Sequence, residues 1–563
     1  MSVARRSLLG GVAGLAAARL SAAVRADDLP AGELTADALI IGAGASGAAA
    51  AWRLASQGAR VACLEQGDWL DYLEIPSTRD DWELVRQRAW NPNPNVRGGT
   101  ADYPVQDRAS AIKPLMYNGV GGSTIMWSCH APRMHPSDFR TRSLDGVGQD
   151  WPIGYGDLAP YYDLNDVMSG ISGLAGDPAN PPRPPRQRPP LSIGKGAERI
   201  GAALDDLGWH WWPNDVAAYS SAYGEETGDC NNCGPCELAC PMRAKASTDV
   251  TYWPKALAAG AKLVTKARVF EIETDAAGRA IGAAFYDSAG VARRARAGVV
   301  IVAANGIGTP RLLLLSASKA HPNGLANRSG QVGRNLMLHP VALVTGVFDQ
   351  DLEGYKGITA NCITSQEFYE TDPSRGFKRG YMIQFLRSFG PVLTAQGGYG
   401  VPIPWGRRHR ARFREVFNHT ATAAIVCEDL AHPDNRITLD PALKDDHGVP
   451  APAMAYAVDD HARRMIAHGL QTCGQIMRAA GAREVFETPL VEQAGFHLMG
   501  TARMGADPET SVLNAFSQAH DAPNLFVIDG SAFATAAAVN PTNTLQALAL
   551  RAADRIVAVH RDL

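Results

Sequence analysis

The sequence predicts an α/β protein, α+β overall, in which a Rossmann-like unit is joined to a second, mainly β-sheet unit with flanking helices. Three observations predict it. Residues 36–67 read as strand, glycine turn, helix and second strand; residues 298–316 read as a buried strand running into a helix; residues 342–484 are rich in aromatics and arginine, with two-residue alternation in stretches such as Asn435–Leu439. At 563 residues the chain is too long for one ordinary core, and chains of this size divide into several units.

In the first element, Leu39, Ile40 and Ile41 end an apolar strand, and Gly42, Gly44 and Gly47 supply G-x-G-x-x-G. The first glycine makes the turn, the second lets backbone approach a pyrophosphate, and the third lets helix pack on strand. Helix formers run to Gln57, and Gly58 is placed to end the helix in a left-handed conformation. Val61–Leu64 form the second strand, and Glu65 stands at its end, 23 residues after Gly42. An acid there accepts hydrogen bonds from an adenosine ribose, with the phosphates at the positive end of the helix dipole. The turn opens the mature chain, and the last segment of the chain also looks nucleotide-related; both favour FAD over NAD.

The proline-rich stretch 180–191 reads as an extended connection. In the second element, Gly298–Ser316, Thr309 is the expected N-cap and Pro310 the first helical residue. Toward the end of the chain, His497 lies among apolar neighbours and glycines, and Asn540 precedes Pro541 at the start of a long helix, in the N-cap position. The expected boundaries are an export signal at 1–26, an FAD-binding unit at 27–341 with a cysteine-rich loop at 225–250, a substrate-binding unit at 342–484 and a catalytic segment at 485–563.

The formal net charge of -3 offers no basic stripe, which argues against nucleic acid as a partner. Arg5 and Arg6 precede a short apolar run, and Val24 and Ala26 have the spacing of a signal-peptidase site. This resembles a twin-arginine export signal cut after Ala26, and implies a periplasmic protein. The twelve residues between Arg6 and Arg19 are too few to cross a hydrocarbon core about 30 Å thick, so no transmembrane helix is expected there.

Cys230, Cys233, Cys236 and Cys240 fall within eleven residues and are followed by Pro241. Disulfides there would close very small, easily strained loops, and zinc sites usually pair two separated C-x-x-C knuckles. Neither C-x-x-C is followed by His, which excludes covalent haem. The run C-x2-C-x2-C-x3-C-P is the one bacterial ferredoxins use for iron–sulfur clusters. All four cysteines could ligate one cluster, or three could hold a three-iron cluster; disulfides and zinc stay open.

Taken together, the glycine turn, YNGVGGSTIMW at 117–127, AANGIGTPRLL at 303–313, VGRNLMLHP at 332–340, HLMGTARMG at 497–505, and the later DGSAF and NPTNT resemble the glucose-methanol-choline (GMC) oxidoreductases, flavoproteins that oxidise alcohols. The resemblance spans nearly the whole mature chain. It implies that His497 is the catalytic base and Asn540 its partner. It also implies that Asp529 and Gly530 contact the flavin, and that Asn118, Gly121 and Gly122 lie beside its isoalloxazine ring. Some relatives carry, directly before the tryptophan of the GGSTIMW segment, a histidine that is covalently tied to the flavin. Met126 stands there, so the FAD is expected to be held noncovalently. Some exported sugar dehydrogenases of the family resemble this chain in carrying a three-iron cluster in such a loop, with a different spacing of the first two cysteines. The implied activity is oxidation of an alcohol or sugar hydroxyl, with electrons leaving through the cluster to a c-type cytochrome or a quinone-linked subunit. An oxygen-reducing oxidase and a redox-neutral cyanohydrin lyase are the alternatives.

Overall fold

The computed structural model describes residues 23–29, 34–221, 227–357 and 363–559. Residues 1–22 of the expected export signal, and Cys362, lie outside the described residues.

The expected strand–turn–helix–strand is present as Leu34–Ile41, Ala45–Ser56 and Val61–Leu64, and Gly58 follows the helix at φ +91°. Leu34–Ile41 pairs in parallel with Val61–Leu64 on one side and Ala292–Val302 on the other. Both faces of this sheet are covered, which is why its strands read as apolar runs without alternation. Lys262–Thr265 continues the sheet beside Val61–Leu64, and Ala23–Arg25 pairs with it in parallel at the edge. The C-terminal region returns to the same sheet as Leu525–Val527, parallel to the end of Ala292–Val302. Ala45–Ser56, alanine-rich and therefore thin, packs against the last helix, Thr542–Val559.

A six-stranded sheet runs in the order Glu484–Thr488, Val341–Val347, Thr420–Cys427, Tyr381–Leu386, Ile363–Ser365 and Trp212–Pro213. All its pairs are antiparallel. One face is covered by the helix Asp460–Ala479, capped by the Asp459 carboxylate accepting the Ala462 N–H at 2.7 Å. The alternating stretch at Asn435–Leu439 belongs elsewhere: Arg436–Lys444 forms a three-stranded sheet with Pro450–Tyr456 and Gln106–Ser110.

Two helix starts differ from the sequence reading. The helix expected to begin at Pro310 begins at Asn305, with Pro310 inside it. An internal proline removes one helical N–H and frees the carbonyl four residues earlier. That carbonyl, of Gly306, accepts the Thr501 hydroxyl at 2.8 Å instead, and Thr309 donates to Asp529 rather than capping. The last helix begins at Thr542, so Asn540 lies two residues before it and its side chain is not a cap. The proline-rich segment has no regular secondary structure, and Arg183 and Arg186 anchor it on the buried Asp215.

Candidate functional site

One cavity of about 650 Å³ runs from the glycine turn and Glu65 to His497 and Asn540. At its first end the glycines are required by contact as well as by φ. Gly42 has φ +103°, and a Cβ on Gly47 would sit 2.0 Å from the Gly42 carbonyl oxygen. The loop predicted to meet the flavin lies directly against this turn: Gly121 donates its N–H to the Ala43 carbonyl at 3.0 Å, and a Cβ on Gly122 would come within 2.7 Å of the Gly44 Cα. Two backbone segments without side chains therefore face one another, leaving a cradle that a dinucleotide's phosphates and ring can enter. Glu65 is buried and accepts the N–H groups of Ala43 and Gly67 at 2.8 and 2.9 Å. Burial raises its pKa against those hydrogen bonds. Asn118 donates to Asp102 at 2.8 Å, so its side chain braces the loop. Met126 lines the cavity.

Asp529 ties the C-terminal segment to the front of the second helix. Its Oδ2 accepts the Asn305 N–H at 3.0 Å and the Thr309 hydroxyl at 2.5 Å, and its Oδ1 accepts from Ser531. A Cβ on Gly530 would lie 2.4 Å from the Leu498 carbonyl oxygen, so the segment of His497 and the Asp529–Gly530 turn touch through backbone.

At the other end of the cavity a directed hydrogen-bond chain appears. His339 Nε2 lies 3.1 Å from the Ala536 carbonyl, which can only accept, so this nitrogen carries a proton. Burial pulls the His339 pKa down to about 4, so the ring is neutral and its Nδ1 is an acceptor. His497 Nδ1 is 2.9 Å from it and must donate. His497 Nε2 is then left with its lone pair facing the cavity, 3.3 Å from the Asn540 Nδ2. The Asn540 Oδ1 accepts from Gln384 at 2.6 Å, which fixes the amide with its NH2 toward His497. Burial, together with His339 and His130 nearby, holds the His497 pKa well below the usual imidazole value. The arrangement presents a neutral ring nitrogen as base and an amide donor side by side, the pair needed to take a hydroxyl proton and hold the developing alkoxide.

The sequence reading did not find His339 or Gln384. His339 lies near the end of a quoted motif and has φ +57°, an unusual conformation for a residue other than glycine and the only local signal; Gln384 sits mid-strand with none. The tryptophans of 209–212 lie outside the cavity: Trp209 packs edge-on against Phe368 at 5.2 Å and Trp212 donates to the Leu174 carbonyl.

The cysteine loop forms part of the cavity wall through Pro235, Glu237 and Leu238. Glu237 is ion-paired with Arg86. Asn232, Ala239 and Arg243 all have positive φ, each at a cost of about 1 kcal/mol or more, a kind of strain that clusters at functional sites. Cys230, Cys236 and Cys240 are partly buried against one apolar cluster that includes Cys129, whereas Cys233 is exposed. All four are free thiols, and burial raises those of Cys230 and Cys236 and pushes Cys233 up to about 11. Among the described residues no three His, Cys, Asp or Glu side chains are gathered as a metal site, so the structure does not assemble the predicted four-cysteine ligand set: a sharp turn at Gly234, φ +103°, leaves Cys233 outward while the others face the apolar cluster. The donor chemistry, soft sulfurs with no disulfide among them, still fits an iron–sulfur cluster.

Comparison with known proteins decides the family. Models of the GMC oxidoreductases match residues 216–341 and 431–549, and a model of the NAD(P)-binding Rossmann-like domain matches residues 40–70. The chain is 44% identical to 2-methyl-1,2-propanediol dehydrogenase of Mycolicibacterium austroafricanum, over 92% of this chain and 95% of that one. This chain is a GMC oxidoreductase. It is also 32% identical to the fructose dehydrogenase large subunit of Gluconobacter japonicus, over 93% of this chain and 98% of that one. As a GMC oxidoreductase it binds FAD and acts on the CH–OH group of alcohols or sugars. A solved structure of Aspergillus oryzae RIB40 formate oxidase matches the GMC fold with a TM-score of 0.65 at 16% identity, covering 94% of this chain and 99% of that one.

Proposed function

We propose that this enzyme is a dehydrogenase rather than an oxidase, and that electrons leave the FAD through the cysteine loop to an external acceptor. The observation that carries this reading is the loop's position. One side, with Glu237 and Leu238, lines the catalytic cavity, and the other, with Asn231, Asn232 and Cys233, is exposed. An electron carrier there would bridge the active site and a docked partner. The fructose dehydrogenase large subunit is by name one subunit of a larger assembly, which favours a protein acceptor such as a c-type cytochrome or a quinone-linked subunit.

In the proposed reaction the alcohol loses its hydroxyl proton to His497 Nε2 and its carbon-bound hydrogen as hydride, leaving a carbonyl product. Bound FAD, held noncovalently because Met126 offers no nucleophile, supplies the two-electron acceptor. Asn540 donates to the substrate oxygen as its charge develops, and His339 stabilises the ring orientation that keeps Nε2 basic. An iron–sulfur cluster on the loop cysteines would supply one-electron transfer outward. Freshly matured, anaerobically purified protein is expected to contain iron and acid-labile sulfide. Iron-free protein that turns substrate over with rapid hydrogen peroxide release would instead identify an oxidase.

Because the neutral form of His497 is the active one and its pKa is depressed, the rate of flavin reduction should be flat through neutral pH. It should fall only on the acid side of the ordinary imidazole value of about 6.5. Stopped-flow reduction across pH checks this, and an acid limb centred above that value contradicts it.

We further propose export by the twin-arginine-type leader. Cleavage after Ala26 would remove the edge strand Ala23–Arg25 and leave Lys262–Thr265 as the sheet edge. N-terminal sequencing of the periplasmic protein should then begin at Asp27; a mature chain retaining Ala23 would refute that cleavage site. Among the described residues no helix is long and apolar enough to cross a membrane.

A further inference from the structure

One face of the six-stranded sheet floors the cavity. Val341 pairs with Val426, Leu343 with Ala424, and Ala424 with Gln384. Because strand side chains alternate between faces, these residues and Leu386 share one face, and all of them line the cavity with His497 and Asn540. Five of the six are aliphatic. The sixth, Gln384, donates one amide N–H to Asn540, which leaves its other N–H and its carbonyl oxygen to meet one substrate hydroxyl. The hydroxyls of Thr345 and Thr422, farther along the same strands, pair with one another at 3.0 Å.

Three charged groups at the rim are also engaged. Arg86 is paired with Glu237, and Glu83 accepts the N–H groups of Val392 and Leu393 at 2.7 and 3.0 Å. The rings of Trp90 and Tyr117 stack on each other at 6.0 Å. A substrate's reacting hydroxyl therefore finds His497 and Asn540, a second can find Gln384, and any further hydroxyl directed at the sheet is pressed against aliphatic side chains. Hydroxyls buried without a partner lose their water hydrogen bonds and gain nothing in return.

We infer that the substrate is a compact aliphatic alcohol with no more than two hydroxyl groups, and that sugars and higher polyols are excluded by the sheet. The inference rests on the proposal that His497 and Asn540 receive the reacting hydroxyl. Each unmatched hydroxyl lowers kcat/KM roughly tenfold, so a hexose, with three or more of them, should react on the order of 10³-fold less efficiently than a branched four-carbon alcohol.

The test uses FAD-loaded full-length enzyme and an artificial electron acceptor, comparing 2-methylpropan-1-ol, propane-1,2-diol, glycerol, D-glucose and D-fructose by kcat/KM. Preference for the first two by 100-fold or more over both sugars supports the inference. Equal or better use of either sugar overturns it. Bleaching of the flavin by none of the five refutes the alcohol-oxidation reading itself, and the inference falls with it. A second measurement uses Val426→Thr, which keeps the side-chain shape and adds one hydroxyl to the sheet face. It should raise kcat/KM for glycerol relative to 2-methylpropan-1-ol severalfold, and an unchanged ratio in a folded, FAD-replete variant counts against the sheet as the determinant.

Discussion

His497→Ala is expected to lower the rate of flavin reduction by substrate by about 10³-fold, within the range that a positioned general base contributes. FAD content and thermal stability should be nearly unchanged. The alanine removes a ring whose Nε2 faces the cavity and whose Nδ1 is held by His339 at 2.9 Å. No other described neutral nitrogen base is held beside Asn540 in this way. Anaerobic stopped-flow bleaching is the measurement. A variant that keeps its FAD and reduces it at near-normal rate would remove His497 from the role of base. Loss of FAD would mean that the ring acts structurally.

Gly47→Val should abolish FAD binding outright. Its Cβ would lie 2.0 Å from the Gly42 carbonyl oxygen, and backbone rather than a flexible side chain would have to move. Overpacking of that kind costs about 3 kcal/mol or more, and the distortion falls on the glycine turn that lines one end of the cavity. The 450-to-280 nm absorbance ratio and the Tm report the outcome. Gly58→Ala is the matched control: the position has φ +91° but nothing within 4 Å of an added Cβ, so about 1 kcal/mol of backbone strain is expected with FAD retained. If both variants bind FAD alike, close packing at Gly47 is not what builds the site.

What could be read from the sequence was set by chain distance. The glycine turn, the end of its helix at Gly58 and the strand Val61–Leu64 are local consequences of glycine freedom and apolar runs, and they were legible to the residue. The start of the helix at Asn305 was not, because Pro310 reads as a first-turn residue unless one knows that Thr501, 195 residues from the carbonyl it frees, will satisfy that carbonyl. The same holds for the proposed base. His497 stood out among glycines, but its tautomer depends on His339, 158 residues before it, and the pose of Asn540 depends on Gln384, 156 residues before Asn540. A glutamine in a strand carries no mark of such a role. The cysteine spacing was plain in sequence; the outward turn of Cys233 depends on backbone torsions around Gly234 that no spacing encodes.

Leu525–Val527 completes the sheet that Leu34–Ile41 begins, and Thr542–Val559 packs on the helix that follows the glycine turn. During synthesis, therefore, the glycine turn emerges well before one strand of its sheet and its covering helix, which follow more than 480 residues after Gly42. Cofactor capture is in this sense a late event in the life of the polypeptide, and a chain interrupted before these last elements would carry the dinucleotide signature without the means to close around the ligand.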